Sequence, residues 1–268
     1  MMYSDKEPFM PQYDAYLIDL DGTIYHGKNP IPEAKRFVHR LQEANIPYLF
    51  VTNNSTKTAE AFAEDLTRLH GIKTSKEQVY TSAMATADYV ASDSFKKGLK
   101  KVYLIGEAGL EEAFTRPEIQ LVSYDQADYV VMGLDRSFTY QKLMEATFAI
   151  QRGARFIATN ADTNLPSEKG MLPGAGSLVA ALKTATGVAP TIIAKPEAPI
   201  MQGALKRLNN PKKPIMVGDN YQTDILAGIQ NGLATLLVYT GVSTKEQIQQ
   251  KEIKPTHEVE HFDQWSVK

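Results

Sequence analysis

Four short segments of the sequence place carboxylate, hydroxyl, amide and amine side chains directly after apolar runs. They are Asp19-Leu20-Asp21-Gly22-Thr23, Thr52-Asn53-Asn54, Lys195-Pro196 and Gly218-Asp219-Asn220, the last with Asp224 close behind. Ligands of parallel α/β sheets bind outside the carboxyl ends of the strands. If the apolar runs are strands, these side chains are therefore expected to share one polar site.

Each of these residue types has a chemical task if the substrate is a phosphate ester. One carboxylate could attack phosphorus and form an aspartyl phosphate. A second carboxylate, two residues along an extended segment, points to the same side. It could protonate the leaving oxygen and later deprotonate water. The amine supplies positive charge, and a Thr hydroxyl with nearby backbone N–H groups can hold the phosphoryl oxygens.

Three Asp side chains at one sheet edge predict a bound cation, because they would otherwise repel one another. Oxygen ligands suit Mg²⁺, which keeps waters and phosphate oxygens in its coordination shell. The chain has no Cys, and its five His residues show no metal-ligand pairing. A softer metal is therefore not expected.

The elements that must position these residues alternate along the chain between apolar runs and helical periodicities. The expected strands are 15–18, 46–51, 102–105, 129–132, 156–159, 191–194, 214–217 and 234–238. The expected helices begin at Pro32 and cover 58–69, 110–114, 140–151, 177–186, 199–208 and 224–231. This alternation predicts an α/β fold with parallel, doubly wound sheets joined by right-handed crossovers.

The order of the four motifs resembles that of the haloacid dehalogenase (HAD) superfamily. Asp19-Leu20-Asp21-Gly22-Thr23-Ile24-Tyr25 is similar to the first motif of its phosphatase branch. Thr52-Asn53-Asn54-Ser55 and Gly218-Asp219-Asn220-Tyr221-Gln222-Thr223-Asp224-Ile225 resemble the NagD-like phosphatases, which act on nucleotides, sugar phosphates, 4-nitrophenyl phosphate, pyridoxal phosphate and phosphoglycolate. The resemblance covers essentially the whole chain.

The resemblance implies a role for each motif residue. Asp19 is expected to be the nucleophile and a Mg²⁺ ligand, and Asp21 the general acid/base, with its backbone carbonyl on the metal. Thr52 and Asn53 are expected to bind the phosphoryl group, while Lys195 balances its charge. The remaining two carboxylates complete the metal site: Asp219 as a ligand, and Asp224 through water or by orienting the shell.

The spacing of the motifs indicates an inserted domain. The interval from Thr52 to Lys195 is far longer than that from Lys195 to Asp219, so a folded unit must lie within it. The resemblance implies a C2-type α/β cap on a Rossmann-like core. The expected boundaries are 1–82 and 179–268 for the core and 83–178 for the cap.

The cap is expected to read the leaving group of the substrate. Its loop 160–166 is rich in hydrogen-bonding groups, and Asn160, Asp162 and Asn164 are the expected substrate contacts. The segment Gly133-Leu134-Asp135-Arg136 is a second candidate. The expected substrate is a small phosphorylated metabolite, and a cap of this type is compatible with a homodimer.

Composition excludes several other classes of function. The 268 residues include 29 basic and 31 acidic side chains, so a net charge of −2 gives no footprint for nucleic acid or anionic membranes. Met1–Pro11 is polar where a signal peptide would be apolar, and no run approaches a membrane span. A cytoplasmic protein is expected.

Several alternative interpretations stay open at this stage. Asp-x-Asp-Gly on its own is typical of a turn, and Thr52 or Asp224 could simply cap a helix. The segment Gly174-Ala175-Gly176-Ser177-Leu178-Val179 lacks the third glycine of a dinucleotide fingerprint. A receiver-type phospho-acceptor module also uses Asp, Thr and Lys, but it is shorter and has no insertion. A phosphomutase of the same superfamily is a further alternative.

Overall fold

Two parallel β-sheets organise residues 12–167 and 169–267, the part of the chain that this computed structural model describes. Met1–Pro11, the segment that argued against a signal peptide, lies outside the described residues. The first sheet has the strand order β15-β14-β13-β1-β4-β5 and the second β12-β9-β8-β6-β7. Helices pack between and around them, which confirms the α/β fold.

The bounds of the elements are as follows. The strands are β1 (Ala15–Ile18), β2 (Tyr25–His26), β3 (Asn29–Pro30), β4 (Tyr48–Thr52), β5 (Val79–Thr81), β6 (Lys100–Ile105), β7 (Ile119–Leu121), β8 (Tyr129–Met132), β9 (Arg155–Ala158), β10 (Asn164–Ser167), β11 (Gly170–Pro173), β12 (Thr191–Ile192), β13 (Pro214–Gly218), β14 (Ala234–Val238) and β15 (His257–Val259). The helices are α1 (Pro32–Glu43), α2 (Ala59–Arg68), α3 (Ser82–Ser92), α4 (Ala108–Ala113), α5 (Tyr140–Gln151), α6 (Ala175–Thr186), α7 (Ala198–Arg207), α8 (Leu226–Gln230) and α9 (Lys245–Gln249). A π-helical turn, Tyr221–Ile225, leads into α8.

The central strand of the first sheet is β1, which lies between β13 and β4 in parallel register. Tyr16 is paired with Ile215 on one side and Tyr48 on the other. All residues of β1, β4 and β13 are buried, as expected for a parallel sheet covered by helices on both faces. That is why these strands are visible in the sequence as nearly continuous apolar runs.

Helix α1 illustrates how the sequence determines the layer that covers this sheet. Pro32 occupies the first turn, where its missing N–H costs nothing. Ala34, Phe37, Val38 and Leu41 recur at helical spacing and are all buried against the sheet. Helix α2 begins in a different way, with the Thr58 hydroxyl as an N-cap that accepts a hydrogen bond from Ala61 N–H.

The second sheet extends beyond the segment expected for the inserted domain. Position 178 falls inside α6, and Val179 and Leu182 of that helix pack in one cluster with Ile150 and Phe156. The helix therefore continues to cover the second sheet past the expected boundary. Strand β12, which follows it, is the edge strand of the same sheet.

Lys195 follows a strand of the second sheet, whereas Asp19 follows a strand of the first. Residues 191–192 pair with Ile157 and Ala158 of β9, and Ile193 and Ala194 continue this pairing through backbone hydrogen bonds to β9 and Thr159. Lys195 therefore enters the polar site from the second sheet. Only after it does the chain return to the first sheet, through α7 and β13.

Several elements had no sequence prediction. They include α3, the edge strands β5, β7 and β15, and the hairpins β2–β3 and β10–β11. The hairpins are short, and most of their residues are exposed, so no apolar pattern marks them. No helix in residues 12–167 and 169–267 is long and apolar enough to cross a membrane.

Replacing Phe37 by Ala is expected to lower the free energy of unfolding by about 3–5 kcal/mol. Phe37 is fully buried, stacks on Phe262 with ring centroids 4.5 Å apart, and meets the edge of Tyr16 at 5.6 Å. Urea denaturation measures the change. Tyr140→Ala, at a position 80% exposed, is the control and should change the same quantity by less than about 0.5 kcal/mol. Equal losses in the two variants would contradict this account of the core.

Candidate active site

Three neighbouring strands of the first sheet bring the predicted motifs to one edge. Asp19 follows β1, Thr52 ends β4 and Asp219 follows β13. Because β13, β1 and β4 are adjacent and parallel, their carboxyl ends lie side by side. Lys195 reaches the same place from the segment between β12 and α7.

A carboxylate cluster lies at this edge. One oxygen each of Asp19, Asp219 and Asp224 lies within 4.8 Å of the others. Asp219 is held on both sides, because the Thr23 hydroxyl donates to its Oδ1 and Val242 N–H to its Oδ2, each at 2.8 Å. Oxygen donors that converge in this way are what a hard divalent cation requires.

Lys195 is the counter-charge of the cluster. Its ammonium group is buried and donates to Asp19 Oδ1 at 2.6 Å and to the Val51 carbonyl oxygen at 2.7 Å. It also lies 2.9 Å from Asp224 Oδ1. The two carboxylates outweigh the effect of burial and raise the pKa of Lys195 above its usual value, so the amine stays charged.

Asp224 lies in the π-helical turn and is oriented by its neighbours. Its Oδ2 accepts a hydrogen bond from Asn220 N–H at 3.1 Å. Its Oδ1 accepts one from the Thr223 hydroxyl at 3.1 Å and faces Lys195. Both oxygens therefore already have partners within the protein.

Glycines make room for this cluster. A Cβ on Gly218 would lie 2.2 Å from Asp224 Oδ2, and one on Gly241 would lie 2.0 Å from Asp219 Oδ2. A Cβ on Gly22 would lie 2.5 Å from Asp219 Oδ2, and Gly22 has a φ of +89°, a backbone conformation that residues with a side chain disfavour. The backbone must therefore approach the carboxylates closely from three directions.

The electrostatics of the cluster call for further positive charge. Burial, with the nearby charges of Asp224 and Asp219, raises the pKa of Asp19 well above its usual range despite Lys195. Burial and the Asp224 charge raise the pKa of Asp219 to about 6. Since one ammonium cannot neutralise three carboxylates, the residues present fit a divalent cation among them.

Asp21 differs from the other carboxylates because it is exposed. It lies two residues after Asp19, in a turn whose backbone bridges to Tyr25. Its Oδ1 accepts a hydrogen bond from Gly27 N–H at 3.3 Å. Asp21 therefore lines the cavity as a carboxylate open to solvent and to a ligand.

The loop after β4 joins the two sheets. The Asn53 side-chain amide donates to the Lys195 carbonyl at 3.0 Å, and the Asn53 backbone carbonyl accepts from Asn160 Nδ2 at 3.0 Å. The Thr159 hydroxyl donates to Ser55 Oγ at 3.2 Å. The carboxyl ends of strands from both sheets therefore meet at this loop.

The three expected substrate contacts of the cap fall in different environments. Asn160 is buried and uses both ends of its amide, because its Oδ1 also accepts from Asp162 N–H at 3.1 Å. Asp162 lies 3.4 Å from Asn53 Nδ2, and burial raises its pKa. Asn164 is exposed, and all three line the cavity.

Of the second candidate segment, only Leu134 lines the cavity. The Asp135 carboxylate is buried against Lys142 at 2.6 Å and accepts from Ser137, so it stabilises the turn. Arg136 forms an ion pair with Glu107 at 2.6 Å. The charged side chains of this segment are therefore paired with other protein side chains and do not line the cavity.

These residues surround a cavity of about 1280 Å³ that reaches from the carboxylate cluster to the β10–β11 hairpin. Its wall includes groups that had no sequence prediction, namely the loop of Gly241 and Val242 and the aromatic pair Tyr25 and His70. The loop follows β14, the neighbour of β13, so the strand-end argument could have found it. Of the aromatic pair, Tyr25 ends the first motif, whereas no sequence signal marks His70.

Comparison with known proteins agrees with this geometry. Residues 16–120 match the sequence pattern of the haloacid dehalogenase-like hydrolases, and residues 192–265 match the related HAD-hydrolase-like pattern. The chain is 46% identical over 257 residues to the 5′-nucleotidase YutF of Bacillus subtilis, covering 96% of this chain and 98% of that one. It is 47% identical over 249 residues to an acid sugar phosphatase of Staphylococcus aureus, covering 92% and 95%.

Solved structures show the same relationship. The p-nitrophenyl phosphatase from Archaeoglobus fulgidus superposes with a TM-score of 0.87 at 35% identity, over 94% of this chain and 97% of that one. Sequence identity and structural likeness thus extend over almost the full length of these relatives. The chain accordingly belongs to the haloacid dehalogenase-like hydrolases, as a phosphomonoesterase of their NagD-like phosphatase subfamily.

Proposed function

We propose that this protein is a Mg²⁺-dependent phosphatase that hydrolyses small phosphomonoesters through an aspartyl phosphate on Asp19. The observation that carries the proposal is the setting of Asp19 between Lys195, 2.6 Å away, and the two buried carboxylates Asp219 and Asp224. With a cation bound, this setting keeps Asp19 ionised, and the positive charges of Lys195 and the cation attract the incoming phosphate.

Mg²⁺ fits the donor set because the ligands are all oxygens and converge within 4.8 Å of one another. The Asp19 and Asp219 carboxylates would hold it, together with the backbone carbonyl of Asp21. Asp224 would ligate through water or orient this shell from beside Lys195, whose ammonium lies 2.9 Å from its Oδ1. When bound, the ion supplies the positive charge that offsets the repulsion between an anionic phosphate and the carboxylates.

In the first step, an Asp19 carboxylate oxygen attacks phosphorus while the bond from phosphorus to the ester oxygen breaks. The Asp21 carboxyl gives its proton to that departing oxygen, so the leaving group departs as a neutral alcohol. Asp21 is suited to this task because it is exposed in the cavity two residues beyond Asp19. Lys195 fixes the orientation of Asp19 and carries positive charge toward the phosphate.

In the second step, water attacks the phosphorus of the aspartyl phosphate. Asp21, now a carboxylate, takes a proton from this water, and the bond between phosphorus and the Asp19 oxygen breaks. Inorganic phosphate leaves, and both carboxyl groups return to their starting states. Thr52 and Asn53, which line the cavity at the end of β4, would hold the phosphoryl oxygens throughout.

We further propose that the unit built on the second sheet acts as a cap over the phosphate site. It begins near residue 83 and, by its packing, continues to Ile192 rather than to 178. Its loop 160–165, with Leu134 and Met171, faces the core residues across the cavity. A cap of this kind excludes water from the aspartyl phosphate and contacts the leaving group. Asp162 and Asn164 are its candidate substrate contacts.

Asp19→Asn is expected to abolish turnover of 4-nitrophenyl phosphate, with a loss of at least about 10⁴-fold, because the amide cannot form the phosphoenzyme. Release of 4-nitrophenol measures the rate, and circular dichroism checks the fold. Asp125→Asn, which removes the same charge from an exposed site in the second unit, should keep the wild-type rate. Near-normal activity of Asp19→Asn would show that the nucleophile is another residue, and wild-type labelling without turnover would favour a receiver-type phospho-acceptor.

Chelation by EDTA is expected to remove activity, and added Mg²⁺ to restore it, because the buried carboxylates repel phosphate without the ion. Release of 4-nitrophenol before and after dialysis against EDTA measures this effect. Asp219→Asn should need a much higher Mg²⁺ concentration for half-maximal activity. Full activity after complete removal of divalent ions would contradict the proposed metal site.

The stability of the metal-free protein is expected to fall as pH rises from about 4 to about 6. The folded state raises the pKa of Asp219 from 3.8 to about 6. Between these pH values the unfolded state loses the proton more readily than the folded state, so rising pH favours unfolding. This group alone corresponds to about 3 kcal/mol. Mg²⁺, which binds the ionised form, should therefore stabilise the protein more at pH 7.5 than at pH 4.5. Urea denaturation in EDTA and in Mg²⁺ measures both effects, and an Mg²⁺ effect independent of pH would refute the assignment.

A further inference from the structure

The carboxylate that transfers protons in the proposed mechanism is weakly held by its own surroundings. Asp21 is exposed, and within the described chain its carboxylate accepts one hydrogen bond, from Gly27 N–H at 3.3 Å. In contrast, Asp219 accepts two bonds of 2.8 Å in a buried site. General acid catalysis requires the donor within hydrogen-bond reach of the departing oxygen. The position of Asp21 must therefore be set by the segment that carries Gly27.

That segment is the hairpin β2–β3. Its backbone is joined to the turn of Asp21, because Asp21 bridges to Tyr25 and Gly22 N–H donates to the Tyr25 carbonyl at 2.7 Å. Residues 26–30 are exposed. Within the two strands of the hairpin, Tyr25 is therefore the side chain that packs against the rest of the core.

The partner of Tyr25 is His70, the second residue after α2. The two rings are stacked with centroids 4.4 Å apart and planes at 12°. His70 is 5% exposed, and Gly71, at a φ of +65°, turns the chain directly after it. A parallel contact between two flat rings restricts both sliding and tilting of the tyrosine, and with it the hairpin strand.

The imidazole contributes here as a ring, without a hydrogen bond to the residues that the structure describes. Its Nδ1 is buried without a hydrogen-bond partner among the described residues. Burial also lowers the pKa of His70, so the ring is neutral around pH 7. What the His70 ring offers to the described residues is therefore its shape and its flat face, which stacks on Tyr25.

We infer that His70 is a positioning residue for Asp21, acting through the stacked ring of Tyr25 and the β2–β3 hairpin. The inference rests on the proposed function of Asp21 as the proton donor. Loss of the ring would free the hairpin, move Gly27 N–H, and leave the Asp21 carboxyl out of line with the ester oxygen. A displaced Asp21 reduces proton transfer more than phosphate binding, because proton transfer requires the carboxyl to lie within hydrogen-bond reach of the ester oxygen.

The leaving group determines how much such a displacement costs. When the bond from phosphorus to the ester oxygen breaks, phenolate is a strong base and needs the Asp21 proton. The anion of 4-nitrophenol is a weaker base and needs it much less. Phenyl phosphate and 4-nitrophenyl phosphate are otherwise closely similar in shape. The ratio of their kcat/KM values therefore reports proton donation in the phosphoryl transfer to Asp19.

The experiment compares this ratio in the wild type and five variants. Asp21→Asn calibrates the loss of the proton and should reduce kcat/KM for phenyl phosphate by about 10²–10⁴-fold, and far less for 4-nitrophenyl phosphate. His70→Ala should show the same selective pattern in milder form, about tenfold for phenyl phosphate and less than about threefold for 4-nitrophenyl phosphate. Tyr25→Leu, which removes the ring from the other side, should reproduce it.

His70→Phe is the decisive companion variant. It keeps a flat ring and removes both nitrogens, so it should retain the wild-type ratio and unfold at a urea concentration no lower than the wild type. His39→Ala, at an exposed histidine of α1, is the matched control and should change neither substrate. Circular dichroism confirms that each variant is folded.

The inference is overturned if His70→Ala lowers kcat/KM equally for both substrates, if it lowers neither, or if His70→Phe shares the loss. Such results with a selective loss in Asp21→Asn would leave the proposed function intact. If Asp21→Asn itself shows no selective loss, the proton-donor role of Asp21 fails, and the inference falls with it.

Discussion

The charge balance of one buried cluster governs the rest of this structure. Asp19, Asp219 and Asp224 bring three negative charges to the end of β1 and β13, and Lys195 brings one positive charge. Two negative charges are left, which one divalent cation would neutralise. Burying unpaired charge is costly, so the fold must supply donors to every oxygen it can reach. Thr23, Val242 and Asn220 do this, and Gly218 and Gly241 exist to let the backbone come close enough.

The same cluster explains why the chain alternates between its two sheets. Asp19, Thr52 and Asp219 come from adjacent strands of the first sheet, whereas Lys195 follows the edge strand of the second. The buried ammonium therefore links the segment that follows the second sheet to the carboxylates of the first by ion pairs. The loop after β4 adds hydrogen bonds from Asn160 and Thr159.

The sequence contained enough information for the four inner strands of the first sheet and for most of the cluster. Strands buried on both faces give continuous apolar runs, and the residues directly after them face the ligand, so Asp19, Thr52 and Asp219 could be found by position alone. The sheet to which β12 belongs could not be predicted, because the apolar run at 191–194 does not reveal which strands it pairs with. His70 could not either. Its contact with Tyr25 joins residues far apart in the chain, and His70 itself stands in no pattern with its neighbours. Short exposed hairpins such as β10–β11 leave no apolar pattern to detect.

The two carboxylates proposed for the chemistry need opposite environments, and the fold separates them within three residues. A nucleophile works best when it is dry, oriented and paired with fixed charges, and Asp19 has Lys195 within 2.6 Å for that purpose. A general acid/base must exchange protons with a leaving group and then with water, so Asp21 has to stay accessible. Accessibility removes the dense packing that fixes Asp19. The orientation of Asp21 must then come from a more distant support, and a hairpin whose packed side chain is Tyr25 can supply it without enclosing the carboxylate. Positioning at a distance is thus the structural consequence of an acid that must remain open to water.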